Sequence, residues 1–116
     1  MLTIAYIAHP ISGDVARNIR KVETILEYLH KQRGAVWPLA PYLDACRYLD
    51  DTRGEDRERA FMANEHYFRE GFIDELWICG DISPGVRVEA EWAIFYGIPT
   101  RFDPLPAELT ELLAHV

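Results

Sequence analysis

The feature that most constrains the fold is the alternation of short apolar runs with amphipathic segments along the chain. The first run, Leu2–Ala8, is continuously apolar and rich in β-branched and aromatic residues, which predicts a strand buried on both faces. Between Asp14 and Arg33 the apolar residues recur three and four positions apart, which predicts an amphipathic helix closed by Gly34. A buried strand followed by such a helix is the repeating unit of a parallel sheet.

The same alternation continues to the end of the sequence. Ala35–Leu39 predicts a second strand that is short or near an edge, because Pro38 offers no donor to a ladder. The other strands expected are Glu75–Cys79 and Ile98–Phe102, and the other helices are Glu55–Gly71, Pro84–Tyr96 and Pro106–His115. The order β-α-β-α-β-α-β-α predicts an α/β fold, a three-layer flavodoxin-like or Rossmann-like sandwich around a short parallel sheet of four to five strands.

The length, composition and net charge of the chain exclude several classes of protein. We expect residues 1–116 to form a single domain, since this length suffices for one hydrophobic core. With 49% apolar and 27% charged residues the chain is neither disordered nor collagen-like. The net charge of −7 argues against nucleic acid as a partner, because an acidic surface repels phosphate backbones. A local pocket of backbone donors can still hold one small anion.

The apolar runs and the cysteines indicate the cellular location of the protein and its capacity to bind a metal. No run is long enough to span a bilayer and no signal-peptide pattern follows Met1, so we expect a cytoplasmic protein without a membrane partner. Cys46 and Cys79 stand alone, with no CxxC and no His pair at metal spacing. We therefore expect two free, buried thiols, and no metal or organic cofactor.

Ligands of open parallel sheets bind beyond the carboxyl ends of the strands, which directs attention to three loops. These loops are His9–Asp14, Ala40–Tyr42 and Gly80–Gly85. In the first, Ser12 and Gly13 stand where the free N–H groups of a helix start can hold an anion. Ordinary helix capping is the alternative interpretation of these two residues.

The third loop leads into a helix that carries an unusual carboxylate. Ser83 is expected to cap this helix, and a capping glutamate would stand at the third helical position, which is Val86. Glu89 lies beyond that position and shares a helical face with Ala93 and Tyr96. A carboxylate among such neighbours is either solvated or functional.

Four segments of the sequence share a pattern with a known enzyme superfamily: Tyr6–Gly13 (YIAHPISG), Asp74–Trp77 (DELW), Ser83–Glu89 (SPGVRVE) and Gly97–Pro99 (GIP). Together they resemble the nucleoside 2-deoxyribosyltransferase superfamily, and in particular its small members grouped as DUF4406 and related domains. The resemblance covers nearly the whole chain. Its most diagnostic part is a small polar residue with Gly two positions later and Glu six positions later.

The resemblance implies a role for each matching residue. Glu89 would be the nucleophile on the anomeric carbon of a nucleoside, and Tyr6 would orient it. Ser83 and Gly85 would bind a 5′-phosphate, since the nucleoside transferases carry Asp where this chain has Ser83. Ser12 and Gly13 would complete that anion site, and the further substrate-binding candidates are His9, Asn18 and Arg87.

The sequence departs from the enzymes at two positions. They carry an Asp that handles the proton of the leaving base, and counting back eight residues from Asp74 reaches His66, with Asn64 and Glu65 beside it. A His or a Glu can transfer a proton, and His66 is the third catalytic candidate. Glu91 stands where the enzymes usually have Gly, which would crowd the helix near the ligand.

We therefore expect an N-glycoside hydrolase or transferase acting on a nucleoside or nucleoside 5′-monophosphate. The alternatives are a non-catalytic module that binds a nucleotide-like ligand, and an interaction domain, which would not need Tyr6 and Glu89. We also expect a homodimer or higher homo-oligomer, because superfamily enzymes associate and the chain has many large rings for one small core. These rings are Trp37, Tyr42, Tyr48, Phe61, Tyr67, Phe68, Trp92, Phe95 and Tyr96.

Overall fold

Four strands and five helices follow one another along the chain in a computed structural model that describes residues 1–116. They are β1 (Thr3–Ala8), α1 (Val15–Lys31), β2 (Val36–Leu39), α2 (Tyr42–Tyr48), α3 (Gly54–Arg69), β3 (Glu75–Ile78), α4 (Pro84–Tyr96), β4 (Thr100–Phe102) and α5 (Ala107–Leu113). None of the helices has the length and apolar character needed to cross a membrane.

The four strands form one sheet in the order β2-β1-β3-β4, and every neighbouring pair is parallel. The predicted α/β class and strand number are therefore confirmed. β2 is an edge strand of four residues, as Pro38 indicated. The two central strands, β1 and β3, direct their carboxyl ends to the same edge of the sheet, where the loops after them meet.

Side chains of β1 alternate between two cores, one on each face of the sheet. Tyr6 and Ala8 pack with buried residues of α2, α3 and α4. Ala5 and Ile7 pack with buried residues of α1 and α5. All four side chains are fully buried, which explains why this strand reads as one continuous apolar run. The two helical layers around the sheet confirm the three-layer sandwich.

One helix was not expected from the sequence. The chain between Pro41 and Gly54 contains α2, a helix of seven residues without a side-chain cap. A helix this short is not stable by itself in water, so local periodicity cannot reveal it. A tertiary contact holds α2 in place, because the buried hydroxyl of Tyr42 donates a hydrogen bond to the backbone carbonyl of Ile7 on β1.

The two cysteines differ in burial. Cys79 is buried at the end of β3, as predicted, and burial raises the pKa of its thiol to about 12. The prediction that Cys46 is buried is wrong, since this residue is exposed. Cys46 lies on α2, in which only Tyr42 is buried.

Candidate functional site

A cavity of about 540 Å³ opens at the carboxyl edge of the sheet. Its volume falls in the range of small-molecule sites, roughly 300–1,000 Å³. The loops after β1 and β3 form one part of its wall, and residues of α2, α3 and α4 form most of the rest. Six of the residues expected from the sequence line it, namely His9, Ser12, Gly13, Ser83, Gly85 and Glu89.

One face of α4 is turned to the cavity. Gly85, Val88, Glu89 and Trp92 line it, and their spacing of three and four residues is that of a single helical face. Pro84 begins the helix, and the Ser83 hydroxyl oxygen accepts a hydrogen bond from the backbone N–H of Val86 at 3.3 Å. Glu89 shares this face and points into the cavity.

Glu89 lines the cavity and contacts Tyr6, which is buried behind it. The Tyr6 side chain is fully buried, and its hydroxyl donates a hydrogen bond to Oε2 of Glu89. The rings of Phe68 and Tyr42 flank it, with centroids 4.8 and 5.8 Å away. Burial, followed by the charge of Glu89, raises the pKa of Tyr6 well above its usual value, so the phenol keeps its proton. Glu89 Oε1 accepts no hydrogen bond from the protein and is left for a ligand.

The carboxyl group of Glu89 has a pKa close to neutral pH. Burial raises the pKa of Glu89 to about 7, and the hydrogen bond from Tyr6 opposes that rise by favouring the charged form. Both protonation states are therefore populated at neutral pH. A carboxyl group with this property, set in a cleft, is typical of functional sites.

The N-terminal ends of α1 and α4 both border the cavity. The Ser83 hydroxyl accepts from Val86, so its own hydrogen remains free to donate. The N–H of Gly85, in the first turn of α4, bonds to no backbone carbonyl. Ser12 and Gly13 precede α1, and Gly13 has φ +100°, a conformation that other residues rarely adopt. This arrangement presents several donors to one space, as anion binding requires.

His9 is held as a neutral ring with one nitrogen free. Its Nδ1 lies 2.7 Å from the carbonyl oxygen of Pro10, which can only accept, so Nδ1 carries the hydrogen and Nε2 has a lone pair. Burial lowers the pKa of His9 from its usual value. The ring packs against Gly80, where a side chain would come within 3.5 Å of it.

Comparison with known families gives one match. The family described as Domain of unknown function (DUF7768) matches residues 3–103. The chain belongs to the DUF7768 family. The matched segment of the DUF7768 domain includes all four strands and every residue that lines the cavity, and only α5 lies beyond it. A search of curated proteins finds no significant match.

Besides Tyr6, which is buried behind Glu89, three of the expected site residues do not line the cavity of this DUF7768 domain. Asn18 instead donates to the carbonyls of Ile11 and Ser12, at 3.0 and 3.3 Å, and so holds the first loop in shape. Arg87 lies on the exposed side of α4, 3.7 Å from Glu91. Glu91 is consequently turned to solvent and does not crowd the cavity.

His66 is the third. It lies on the exposed side of α3, where its Nδ1 accepts from Arg69 at 3.1 Å. Asn64, two residues earlier, lines the cavity instead. Two positions along a helix correspond to a rotation of about 200°, so these residues face opposite sides. Counting residues back from β3 does not reveal which of them faces the ligand.

The sequence interpretation also missed the rest of the α3 wall. Arg57, Ala60, Phe61 and Asn64 line the cavity of the DUF7768 domain with the spacing of one helical face. That spacing is present in the sequence, but the dense charges around it are also typical of a solvated segment. No group of three or more His, Cys, Asp or Glu residues is arranged to hold a metal ion.

Proposed function

We propose that this protein is an N-glycoside hydrolase or transferase acting on a nucleoside or nucleoside 5′-monophosphate, with Glu89 as the nucleophile. The observation that carries the proposal is the contact between Tyr6 and Glu89, which lines a cavity at the carboxyl edge of the sheet. The resemblance of Ser83–Glu89 to the nucleoside 2-deoxyribosyltransferases supports it. The free thiols suit the reducing cytoplasm, where we place the activity.

The proposed reaction proceeds in two steps. Oε1 of ionised Glu89 attacks the anomeric carbon, and the carbon–nitrogen bond breaks, so that its electron pair goes to the base, which takes up a proton from solvent water. Water or a second base then attacks the same carbon and releases Glu89 as a carboxylate. Water loses one proton to solvent and gives hydrolysis, whereas a second base loses the proton of its N–H group and gives transfer. Tyr6 stabilises the ionised carboxylate before the first step and after the second.

A monophosphate fits the end of the cavity where the two helices begin. Ser83 offers its free hydroxyl hydrogen, and Gly85 and Gly13 offer backbone donors. Arg57 is the one lysine or arginine that lines the cavity, and it forms no ion pair with the protein. The same lining also carries Asp51, Asp56 and Glu89, so the proposed phosphate site depends on these directed donors rather than on an excess of positive charge.

A non-catalytic module that binds the same ligand is the second candidate. One observation favours it: His66, the expected proton carrier for the leaving base, lies outside the cavity. On the same helix Asn64 faces inward, and an amide does not supply a proton at neutral pH. Such a module would retain the anion-binding end and would bind nucleotides without cleaving them.

We further propose that the protein is a homo-oligomer, at least a dimer. Of the large rings noted in the sequence, Tyr42 and Phe68 are buried. Others remain exposed, and on α4 the adjacent residues Ile94 and Phe95 are 80% and 79% exposed. Apolar side chains exposed together are a liability on a monomer, and a symmetric interface would bury them.

The test is a screen of nucleosides and their 5′-monophosphates, with chromatography to detect free base and calorimetry to detect binding. Free base released by the wild type but not by Glu89→Gln supports the enzyme. Glu91→Gln is the matched control, because Glu91 lies on the same helix outside the cavity. Binding without release supports the module, and neither binding nor release overturns both proposals.

A further inference from the structure

A pair of aromatic rings joins α3 to α4 at the cavity wall. Phe61 and Trp92 both line the cavity, with ring centroids 5.0 Å apart and planes at 72°. Trp92 is held from behind by Phe68, 5.4 Å away. Phe61 itself remains half-exposed. Rings placed at the wall of an open cavity offer an apolar surface against which a flat ligand can lie.

One amide stands beside these rings without a partner. Asn64 follows Phe61 by three residues on the same face of α3, and its side chain is partly buried. Its amide forms no hydrogen bond with another group of the protein, in contrast to the amide of Asn18, which bonds two carbonyls. An amide next to apolar rings presents one donor and one acceptor in a plane.

The positions of these groups fit the part of a nucleotide that the proposed function leaves unassigned. Glu89 precedes Trp92 by three residues on α4, so the carboxylate and the ring pair are neighbours on one face. A ligand whose phosphate lies at the helix starts and whose anomeric carbon lies at Glu89 carries its base between the α3 and α4 faces.

We propose that Phe61, Trp92 and Asn64 form the base-binding part of the cavity, and that Asn64 is a specificity-determining residue. It selects a base with a donor beside an acceptor on one edge, such as an exocyclic amine next to a ring nitrogen. The amide oxygen accepts from the amine, and the amide N–H donates to the ring nitrogen, which is how Asn pairs with adenine in protein–DNA complexes. This inference rests on the proposed function.

The experiment measures dissociation constants by calorimetry for two pairs of 5′-monophosphates. Adenosine is paired with purine riboside, and cytidine with 2-pyrimidinone riboside, so that each pair differs only in the exocyclic amine. We expect the amine to strengthen binding to the wild type about tenfold to a hundredfold in at least one pair. Asn64→Leu should abolish that difference and leave the affinity for ribose 5-phosphate unchanged.

Arg59→Gln is the matched control, because Arg59 is an exposed residue of α3 outside the cavity, and it should keep the wild-type preference. Asn64→Ala removes the same donor and acceptor with a residue of high helix propensity, so it should abolish the preference even if the leucine variant does not fold. A preference that persists in both Asn64 variants, or no preference in the wild type, overturns the inference. If ribose 5-phosphate binds as tightly as the nucleotides, only the base-binding inference fails. If no nucleotide or sugar phosphate binds, the proposed function fails as well.

Discussion

The hydroxyl of Tyr6 on β1 donates to the carboxylate of Glu89 on α4, 83 residues further along the chain. The phenol is fully buried and retains its proton, so it always acts as the donor. It occupies one carboxylate oxygen and leaves the other to the cavity. The contact therefore orients Glu89 and moderates the effect of burial on its pKa.

Replacing Glu89 by Gln or Ala should abolish nucleoside cleavage. Because neither side chain can form the covalent intermediate, we expect turnover to fall by roughly a thousandfold or more. Release of free base, followed by chromatography, measures the effect, and circular dichroism checks that the fold is intact. Unchanged turnover in Glu89→Gln would exclude Glu89 as the nucleophile.

The same Glu89→Gln substitution should alter stability in a pH-dependent way. The native state raises the pKa of Glu89 from 4.5 to about 7, so it binds this proton more tightly than the unfolded chain. The carboxyl group thus costs stability as the pH rises from 4.5 to 7. We expect the Gln variant to be more stable than the wild type at pH 8, by up to about 3 kcal/mol, and no such gain near pH 4. Urea unfolding at both pH values measures this, and an equal difference at both would contradict the assignment.

Replacing Tyr6 by Phe should move the pH profile of the reaction. Without the hydrogen bond to its charged form, Glu89 should have a still higher pKa, so the acid limb of kcat/KM should shift upward by roughly one unit. Tyr42→Phe is the control, because Tyr42 is also buried but its hydroxyl bonds the carbonyl of Ile7. Equal shifts in the two variants would show that the contact between Tyr6 and Glu89 is not responsible.

Substitutions of Ser83 should separate phosphate binding from helix capping. Ser83→Ala removes both the cap of α4 and the free hydroxyl, so we expect about 1 kcal/mol lower stability and weaker binding of a nucleoside 5′-monophosphate. Ser83→Asp keeps a capping oxygen and adds a negative charge, so it should stay folded and lose the monophosphate while still binding the nucleoside. Calorimetry with both ligands is the measurement. Unchanged monophosphate affinity in these variants would place the phosphate elsewhere.

The exposed residues of α4 should mediate self-association. Phe95→Glu puts a charge into the proposed interface, and we expect it to produce monomers where the wild type forms dimers or larger assemblies. Light scattering over a dilution series at micromolar concentration measures the mass. A wild-type mass of 13.4 kDa throughout would refute the oligomer.

Much of the fold could be predicted from the sequence because its elements are locally consistent. The buried run of β1 and the apolar stripe of α1 have the periods of a strand and a helix, and their bounds agree to within a few residues. Pro38 marked β2 as short or near an edge for a local reason, its missing donor. Two predictions failed, the missing helix α2 and the burial of Cys46. The conformation of α2 depends on the contact of Tyr42 with β1, and the exposure of Cys46 depends on how α2 packs, rather than on neighbouring residues in the sequence.

The candidate site, like the fold, could be predicted only in part from the sequence. The sequence alone determined the four strands, four of the five helices, the Ser83 cap of α4, and the motif that singles out Tyr6 and Glu89. The tertiary structure decided the strand order, the cavity, and which residues of each helix face it. Arg87 and His66 turn outward while Arg57 and Asn64 turn inward, because the direction of a side chain depends on how its helix packs against the sheet. The pKa of Glu89 has the same origin, since loss of water around a carboxyl group requires neighbours that only folding brings together.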